Sequence, residues 1–159
     1  MDPKVKQKTL RKISNGMYVV TSRDGDHVGA ATVTWLSQAS FVPPLIMSAI
    51  RTDSNVFACM GKSRAAAVHI LGAHQEELAR KFLTTTKLET GMLNGEPFTD
   101  GKTMSPILVN APAYVECRVR HIIDTGGDHG LVVLEVIEAE YRMDAPPLLI
   151  AGTRWHYGG

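Results

Sequence analysis

Residues 51–55, with the sequence RTDSN, place a cation and four small polar side chains directly before an apolar segment. Threonine, aspartate, serine and asparagine are all favourable N-cap residues, so this run predicts a short helix that begins near Ser54. The N-terminus of a helix carries free backbone N–H groups and the positive end of the helix dipole, and Arg51 adds a full charge beside them. Arg51, Ser54 and Asn55 are therefore candidates to hold a phosphate. The alternative is a plain helix cap beside a solvated arginine.

A second polar pattern occupies residues 31–40, where hydroxyl and amide side chains alternate with apolar ones in the sequence ATVTWLSQAS. On a strand that belongs to the core, such polar groups must find hydrogen-bond partners. A flat heterocycle with several ring nitrogens and oxygens would supply them. The alternative is an exposed strand whose polar residues face the solvent.

Two of the six histidines lie where an imidazole could serve a site. His69 interrupts the apolar run Ala-Val-His-Ile-Leu, and a single histidine in such a strand is more often a core residue with hydrogen-bonded ring nitrogens. His129 follows Gly127 and Asp128 in a hairpin turn, where aspartate ordinarily stabilises the turn itself. Because an imidazole titrates near neutral pH, His129 is also a candidate to contact a ligand.

The charge balance and the hydropathy exclude several classes of protein. Lys and Arg number 17 and Asp and Glu 16, a net charge of +1, which argues against a nucleic-acid-binding surface. The longest nearly apolar run, residues 42–50, contains two prolines and is far too short for a membrane span. The N-terminal residues lack the apolar stretch of a secretory signal, so we expect the protein in the cytoplasm.

Motifs for common cofactors and metals are also absent from the sequence. It has no G-x-G-x-x-G, no G-x-x-x-x-G-K-[ST] and no G-x-S-x-G, which argues against a Rossmann domain, a P-loop and a serine-hydrolase elbow. The histidines form no HExxH and no tight cluster, which argues against a metal site. Cys59 and Cys117 form no CxxC pair and are expected to be buried as small apolar residues.

Hydrophobic periodicity predicts one mainly β domain over residues 1–159 with accessory helices. Runs of β-branched and aromatic residues between turn signals predict strands, whereas an apolar face formed by Leu78, Ala79 and Phe82 predicts a helix. Residues 84–110 lack periodicity and are expected to form a long loop with short elements. We expect helices at residues 4–15, from about 54 and at 75–83, and strands at 17–21, 28–35, 45–50, 65–71, 114–120, 131–141, 148–150 and 154–157.

These strands are joined mostly by hairpins rather than by alternating helices. Turn signals at residues 24–26 and 125–128 each lie between two strand patterns. This arrangement argues against a doubly wound parallel sheet and for an antiparallel barrel.

The ordered set of segments resembles the flavin reductase-like, FMN-binding split-barrel family, which includes flavoredoxin-like proteins and the flavin reductase domain of flavodiiron proteins. Residues 37–44, SQASFVPP, resemble the family's Ser/Thr-rich strand that ends in Pro-Pro. Residues 68–71 are similar to its V-N-V-L strand, with His69 in place of the asparagine. Residues 75–82 are similar to its Q-x-x-L-A-x-x-F helix, and residues 113–129 resemble its cysteine-containing hairpin that ends in Gly-Asp-His.

The resemblance implies a fold, a cofactor and a set of site residues. The fold would be an antiparallel six-stranded Greek-key split β-barrel that forms a homodimer, with one FMN per subunit in a groove at the interface. Residues 155–157 would pack at that interface or simply in the core. By position, the flavin ring and ribityl chain would contact Thr34, Trp35, Ser37, Gln38, Ala39 and Ser40. The phosphate would be held by Arg51, Ser54 and Asn55. The underside of the flavin would contact His69, Ile70 and Leu71, and His129 would stand near the nicotinamide side.

The implied activity is that of an NAD(P)H-dependent flavin reductase, which passes a hydride from NADH or NADPH to FMN and electrons on to an acceptor. Because no Rossmann motif is present, the nicotinamide donor would have to lie directly on the flavin. Two alternatives stay open. One is a flavoredoxin-like electron-transfer protein that serves a redox partner without NAD(P)H turnover, and the other is a non-catalytic split barrel that binds haem or flavin.

Overall fold

Antiparallel strand pairing organises the chain, of which the computed structural model describes residues 1–159. The strands form one sheet of seven and one of four, with three α-helices and a 3₁₀-helix between them. None of the α-helices has the length and apolar content that a membrane span requires. The elements are α1 (Pro3–Leu10), β1 (Tyr18–Asp24), β2 (His27–Val33), β3 (Leu36–Ser40), β4 (Leu45–Arg51), α2 (Asn55–Ser63), β5 (Ala65–Ile70), α3 (Glu76–Lys81), β6 (Leu88–Glu89), β7 (Met92–Leu93), β8 (Glu96–Asp100), β9 (Pro106–Leu108), β10 (Ala113–Asp124), β11 (His129–Tyr141) and the 3₁₀-helix Ile150–Gly152.

The large sheet must curl because two residues connect its opposite edges. Its strand order is β2-β1-β5-β10-β11-β4-β3, so β2 and β3 lie at the two ends. In a flat sheet, six strand spacings of about 4.8 Å would separate these edges by roughly 29 Å. Only Thr34 and Trp35 lie between the last residue of β2 and the first of β3, and three Cα steps reach at most about 11 Å. The sheet therefore bends until its edges approach each other, and β2 and β3 do not pair with each other.

Two clusters of buried apolar side chains pack against opposite faces of this sheet. Successive residues of β1 point to opposite sides, so Val19 belongs to one cluster and Val20 to the other. The first core cluster, which contains Val20, includes residues of α2. The second core cluster, which contains Val19, includes residues of α3. Cys117 lies in the first cluster, and burial raises the pKa of its thiol to about 12.

Buried polar contacts connect the small sheet, β6 to β9, to the large one. Thr21 Oγ1 donates to the carbonyl of Pro106 at 2.6 Å. The carboxylate of Glu116, which is also buried, accepts from the backbone N–H groups of Lys102 and Thr103 at 3.0 and 2.7 Å. These contacts satisfy polar groups that burial would otherwise leave without partners, and they fix the loop between β8 and β9 on the large sheet.

The buried side chain of His69 links three strands. Its Nδ1–H donates to the carbonyl of Val19 at 2.9 Å, and its Nε2 accepts from the backbone N–H of Leu108 at 3.0 Å. Both contacts require the neutral ring with its proton on Nδ1. Burial lowers the pKa of His69 to about 4, so the neutral form that makes these bonds is the one the fold stabilises.

Most predicted elements are present close to their predicted bounds. The two long hairpins, β4, α2, β5 and α3 are confirmed. The large sheet contains seven strands rather than the six that the family resemblance implied. The helix α1 ends at Leu10 instead of residue 15, and none of its residues is buried, because no other element packs against its apolar side chains.

The short elements expected in the loop of residues 84–110 are present as the four short strands β6 to β9. Strands of two to five residues are too short to show a period. The strands expected at residues 148–150 and 154–157 are wrong. Leu149 makes only an isolated bridge with Gly16, and a 3₁₀-helix follows it at Ile150–Gly152.

We predict that the free energy of unfolding decreases as the pH is lowered, because His69 is neutral in the folded protein and protonates more readily when unfolded. The unfolded ring titrates near 6.5 and the folded one near about 4. The contribution of His69 to the free energy of unfolding is therefore fully present above pH 6.5. Below that pH it declines by about 1.4 kcal/mol per pH unit until the folded-state pKa is reached, a total of about 3 kcal/mol. Urea unfolding of the wild type and His69→Asn across this pH range measures the difference in slope.

The exposed His74 provides the matched control. His74→Asn should retain the wild-type pH slope, whereas His69→Asn should flatten it, because asparagine can make similar contacts without titrating. Equal slopes in all three proteins would show that His69 does not carry this acid sensitivity.

Candidate functional site

A cavity of about 1050 Å³ lies beside the connection between the two sheet edges. Its walls include the end of β2, the N-terminus of α2, the loop after α3 and the segment after the 3₁₀-helix. Ligand pockets in proteins usually measure about 300–1,000 Å³. This cavity therefore has room for more than one ring system.

The wall formed by α3 and its following loop is attached to the free edge of β2. Thr32 donates from its backbone N–H to the carbonyl of Phe82 at 3.0 Å and from Oγ1 to the carbonyl of Ala79 at 2.6 Å. The backbone N–H of Ala30 donates to Thr86 Oγ1 at 3.1 Å. These bonds take the place of a neighbouring strand and hold residues 84–86 at the cavity.

The N-terminus of α2 is built as the sequence predicts, with Ser54 as its N-cap. Ser54 Oγ accepts from the backbone N–H of Phe57 at 3.3 Å and donates to the carbonyl of Arg51 at 2.7 Å. Its hydroxyl is therefore already engaged within the chain. At Gly29 of β2, a Cβ atom would lie 2.4 Å from the backbone nitrogen of Val56, so only glycine lets the start of α2 lie this close to the sheet.

The cation beside this helix end is paired with a carboxylate. Arg51 donates from Nε and Nη2 to the two carboxylate oxygens of Asp53 at 2.9 and 2.5 Å. The hydrogen bond from Arg51 lowers the pKa of Asp53. Because both side chains are exposed, this ion pair contributes little to stability, and an incoming phosphate can compete with Asp53 for the guanidinium.

The hydroxyl of Thr34 is buried without a hydrogen-bond partner. The residue is only 6% exposed, it lines the cavity, and no group of the chain bonds to Oγ1. A buried polar group without a partner costs about 1–3 kcal/mol. A ligand with a polar ring edge would provide the partner that the protein lacks.

An aromatic group lies beside Arg51, since His129 pairs with Arg51 between β11 and β4. The ring centroid of Trp35 lies 4.7 Å from that of His129 and 5.1 Å from that of Tyr157. The carbonyl of Trp35 accepts from the backbone N–H of Ala49 at 2.9 Å and from Ser48 Oγ at 3.0 Å. The backbone under the indole is thereby fixed to β4.

Both ring nitrogens of His129 are engaged. Nδ1 lies 2.7 Å from a carboxylate oxygen of Asp128, and Nε2 lies 2.8 Å from the hydroxyl of Tyr157. The hydrogen bond with His129 lowers the pKa of Asp128, so this carboxylate is ionised at neutral pH and accepts from Nδ1–H. In the neutral ring, Nε2 then has only a lone pair and accepts from the Tyr157 hydroxyl.

Contacts on either side of Tyr157 hold its segment at the cavity. Trp155 packs against the second core cluster, and the guanidinium of Arg80 lies 5.4 Å from the centroid of its ring. Arg11 Nε donates to the carbonyl of Gly158 at 3.0 Å. Gly158 has a φ of +97° and its Cα faces the indole of Trp35, a conformation that other residues adopt only with strain.

Comparison with known proteins identifies the family. The model of the flavin reductase like domain matches residues 10–159. The chain belongs to this family. The fold agrees, since a flavin reductase domain protein from Arthrobacter is 22% identical over 96% of this chain and 89% of its own, with a TM-score of 0.80.

Several relatives of this flavin reductase-like chain are redox proteins by name. Diflavin flavoprotein A 1 of Synechocystis is 30% identical over 82% of the chain, and an NADH:FMN oxidoreductase of Rhodococcus erythropolis is 28% identical over 88% of the chain and 73% of its own length. The NADH:FAD oxidoreductase SgcE6 of Streptomyces globisporus, solved in complex with NAD and FAD fragments, is 25% identical over 97% of this chain and 93% of its own, with a TM-score of 0.81. The chain spans about a quarter of the length of the diflavin flavoproteins, covering 23% of the Synechocystis protein.

The flavin reductase-like fold brings about half of the predicted site residues together. Thr34, Trp35, Arg51, Ser54, Asn55 and His129 line the cavity. The polar residues of β3 do not; Ser37, Gln38 and Ala39 are exposed on the edge strand and Ser40 is partly exposed. His69, Ile70 and Leu71 also lie outside the cavity, and the two ring nitrogens of His69 bond within the core.

Two parts of the cavity wall are not among the site residues that the sequence predicts. Residues 84–86, three consecutive threonines, lie in a segment without periodicity, so no pattern gives their position. For Tyr157 the sequence predicts only packing at an interface or in the core. A turn histidine and a distant tyrosine give no local signal that they meet, so only the fold shows their contact.

We predict that Thr34→Val raises the free energy of unfolding of the ligand-free protein by about 1 kcal/mol, because an apolar isostere replaces an unpartnered buried hydroxyl. Thr21→Val is the matched control, since the buried hydroxyl of Thr21 donates to Pro106 and its removal should destabilise by about 1–2 kcal/mol. Urea unfolding of both variants checks the opposite signs. A destabilised Thr34→Val would mean that this hydroxyl already has a partner.

Proposed function

We propose that this chain binds FMN in the cavity and catalyses its reduction by NADH or NADPH. The observation that carries the proposal is the unpartnered hydroxyl of Thr34 in a cavity that also carries two unlike groups of residues. One group is the N-terminus of α2 with the cation of Arg51, and the other, beside it, is formed by the aromatic rings of Trp35 and His129. A ligand with a phosphate, a flat ring and a polar ring edge fits these three features together.

The residues at the α2 end suit a terminal phosphate. The first N–H groups of α2 have no intrahelical acceptors, and the helix dipole favours an anion there. Arg51 and Asn55 line the cavity at this point, while Ser54 acts chiefly through the cap that fixes the helix start. Because the guanidinium must leave Asp53 to bind a phosphate, we infer that Arg51 exchanges one anionic partner for another.

The names of the relatives support flavin and nicotinamide chemistry. Proteins that match most of this chain are named NADH:FMN oxidoreductase and NADH:FAD oxidoreductase. The chain has no Rossmann motif, so the donor has to bind in the same cavity, whose volume of about 1050 Å³ admits two ring systems.

FMN would supply the redox chemistry, which is acceptance of a hydride from the reduced nicotinamide and release of electrons to an acceptor. The chain's own residues would bind and orient it. Arg51 and the α2 N-terminus would hold the phosphate, the Thr34 hydroxyl would bond to a polar ring edge, and Trp35 would form an apolar wall that excludes water. His129 would face the nicotinamide, and its hydrogen bond to Asp128 fixes which nitrogen of the neutral ring carries the proton.

We further propose that the chain forms a homodimer through the β3 edge. Phe41 and Val42, at the turn between β3 and β4, are 90% and 91% exposed, which is unusual for large apolar side chains that meet no partner. A second copy over this edge would cover both residues and extend the groove along β3. The polar residues Ser37 to Ser40, which lie outside the cavity of one chain, would then line the extended groove.

The diflavin flavoproteins among the relatives make a redox protein a candidate partner that delivers or receives electrons. The electron-transfer function without NAD(P)H turnover is the second candidate for that reason. Binding of haem without redox catalysis is the third. The cytoplasmic location stays a prediction from the sequence.

The decisive test of the activity is anaerobic mixing of FMN-loaded protein with NADH or NADPH. We expect the visible flavin absorption to bleach in one turnover with at least one donor. Absence of bleaching with either donor, together with reduction by a reduced redox protein, would favour the electron-transfer function. A Soret band in the purified protein, with no affinity for FMN, would favour haem binding.

A pair of variants tests the phosphate end. Arg51→Ala should weaken FMN binding about 10-fold, equivalent to about 1.4 kcal/mol, and should leave riboflavin binding nearly unchanged. Asp53→Asn should strengthen FMN binding, because it removes both a competing acceptor and a negative charge beside the phosphate. Fluorescence titration of both variants with FMN and with riboflavin measures these affinities. Equal losses for the two ligands in Arg51→Ala would place the phosphate elsewhere.

A further inference from the structure

The acceptor that the cavity offers a nicotinamide is occupied by the protein itself. His129 lines the cavity beside Trp35, and the ionised carboxylate of Asp128 takes its Nδ1–H. The neutral form of the ring then has a single lone pair, on Nε2. The hydroxyl of Tyr157 lies 2.8 Å from that nitrogen and donates to this form.

The tautomer of His129 limits which ligands can replace the tyrosine. A lone pair bonds only to a hydrogen-bond donor. A nicotinamide carries a carboxamide with two N–H donors, whereas an acetyl or carboxylate group in the same ring position offers acceptors only. His129 Nε2 therefore selects for the carboxamide.

We propose that Tyr157 competes with the nicotinamide donor for His129, because its hydroxyl bonds to the Nε2 lone pair that the carboxamide of the donor takes when it binds. The proposal rests on the proposed function, since it assumes that NADH or NADPH enters this cavity. To that function it adds a competing group of the chain, the hydroxyl of Tyr157, and the group of the donor that displaces it, the carboxamide.

The setting of Tyr157 allows this displacement. Its side chain is exposed by 42%, so the ring can swing away without opening the core. Trp155, which packs in the second core cluster, and Gly158, bonded to Arg11, anchor the chain on either side. Burial raises the pKa of Tyr157, so its hydroxyl remains protonated and acts as a donor at neutral pH.

The exchange sets how tightly the donor binds. In the wild type, the carboxamide gains one hydrogen bond to Nε2 only after the one from Tyr157 is lost, so the net gain is small. Without the tyrosine hydroxyl the same carboxamide bond forms at a free lone pair. One ordinary hydrogen bond then improves donor binding about 3- to 10-fold.

The test compares Tyr157→Phe with Tyr141→Phe in the FMN-loaded protein. Tyr141 is an exposed tyrosine at the end of β11 whose hydroxyl donates to Asp144 at 2.8 Å, so its variant loses a comparable hydroxyl away from the cavity. Calorimetric titration with tetrahydro-NADH measures donor binding directly, since this probe has the carboxamide but no hydride to transfer. Thermal unfolding and FMN content confirm that each variant is folded and loaded.

We expect Tyr157→Phe to bind tetrahydro-NADH about 3- to 10-fold more tightly than the wild type and Tyr141→Phe to bind it equally. Weaker binding by Tyr157→Phe would mean that the tyrosine contacts the donor itself, and equal binding would mean that it does not compete; both overturn the proposal. If none of the proteins binds the probe, the proposed function fails together with it. Equal binding by all three, with bleaching by NADH intact, overturns only the role of Tyr157.

A second titration tests the carboxamide. NAD⁺ and its acetylpyridine analogue differ only in the group that faces His129, and neither can reduce the oxidised flavin. We expect NAD⁺ to bind about 3- to 10-fold more tightly than the analogue in Tyr157→Phe and by a smaller margin in the wild type, where the Tyr157 bond is lost in exchange. Equal affinities for the two would show that the lone pair of His129 does not read the carboxamide, and would overturn the proposal.

Discussion

The two-residue connection between β2 and β3 is the constraint on which the cavity depends. It is shorter than the distance between the edges of a flat seven-stranded sheet, so the sheet curls until those edges face each other across a gap. Residues at such a gap have no strand on one side to bond with. α3 and its loop cover the edge of β2, but nothing reaches the hydroxyl of Thr34. A groove with an unpartnered polar atom beside the indole of Trp35 thus follows from the topology.

Buried polar groups elsewhere show why this one is informative. Thr21, His69 and Glu116 are all buried, and each bonds to the backbone of a neighbouring segment. They hold the small sheet on the large one and so serve the fold. Ser105 Oγ is also unpartnered but does not line the cavity. Thr34 therefore differs from Ser105 in its position, since a ligand in the cavity can reach its unpartnered hydroxyl.

Local sequence signals predicted the elements, whereas the site needed contacts between distant residues. The cap at Ser54 and the turns of the two hairpins act through neighbours in the chain, so they could be predicted. The short strands between residues 84 and 110 are stabilised by their attachment to the large sheet, which no periodicity reveals. Likewise, the family resemblance assigned His69 to the flavin by position, but its bonds to Val19 and Leu108 depend on strand pairing. The contacts of His69 are those of a core histidine with hydrogen-bonded ring nitrogens.

The three aromatic residues of the cavity differ in how firmly the fold holds them. The backbone of Trp35 bonds to β4, and His129 begins β11, which pairs along its length with β10 and β4. Moving either would break several sheet hydrogen bonds. The segment around Tyr157 is held instead by one hydrogen bond from an exposed arginine and by the cation–π contact and packing of Trp155. Contacts of the first two kinds contribute about 1 kcal/mol each, which is the scale of a single ligand group. Of the three aromatic residues, Tyr157 is therefore the one that a ligand can displace by its own binding.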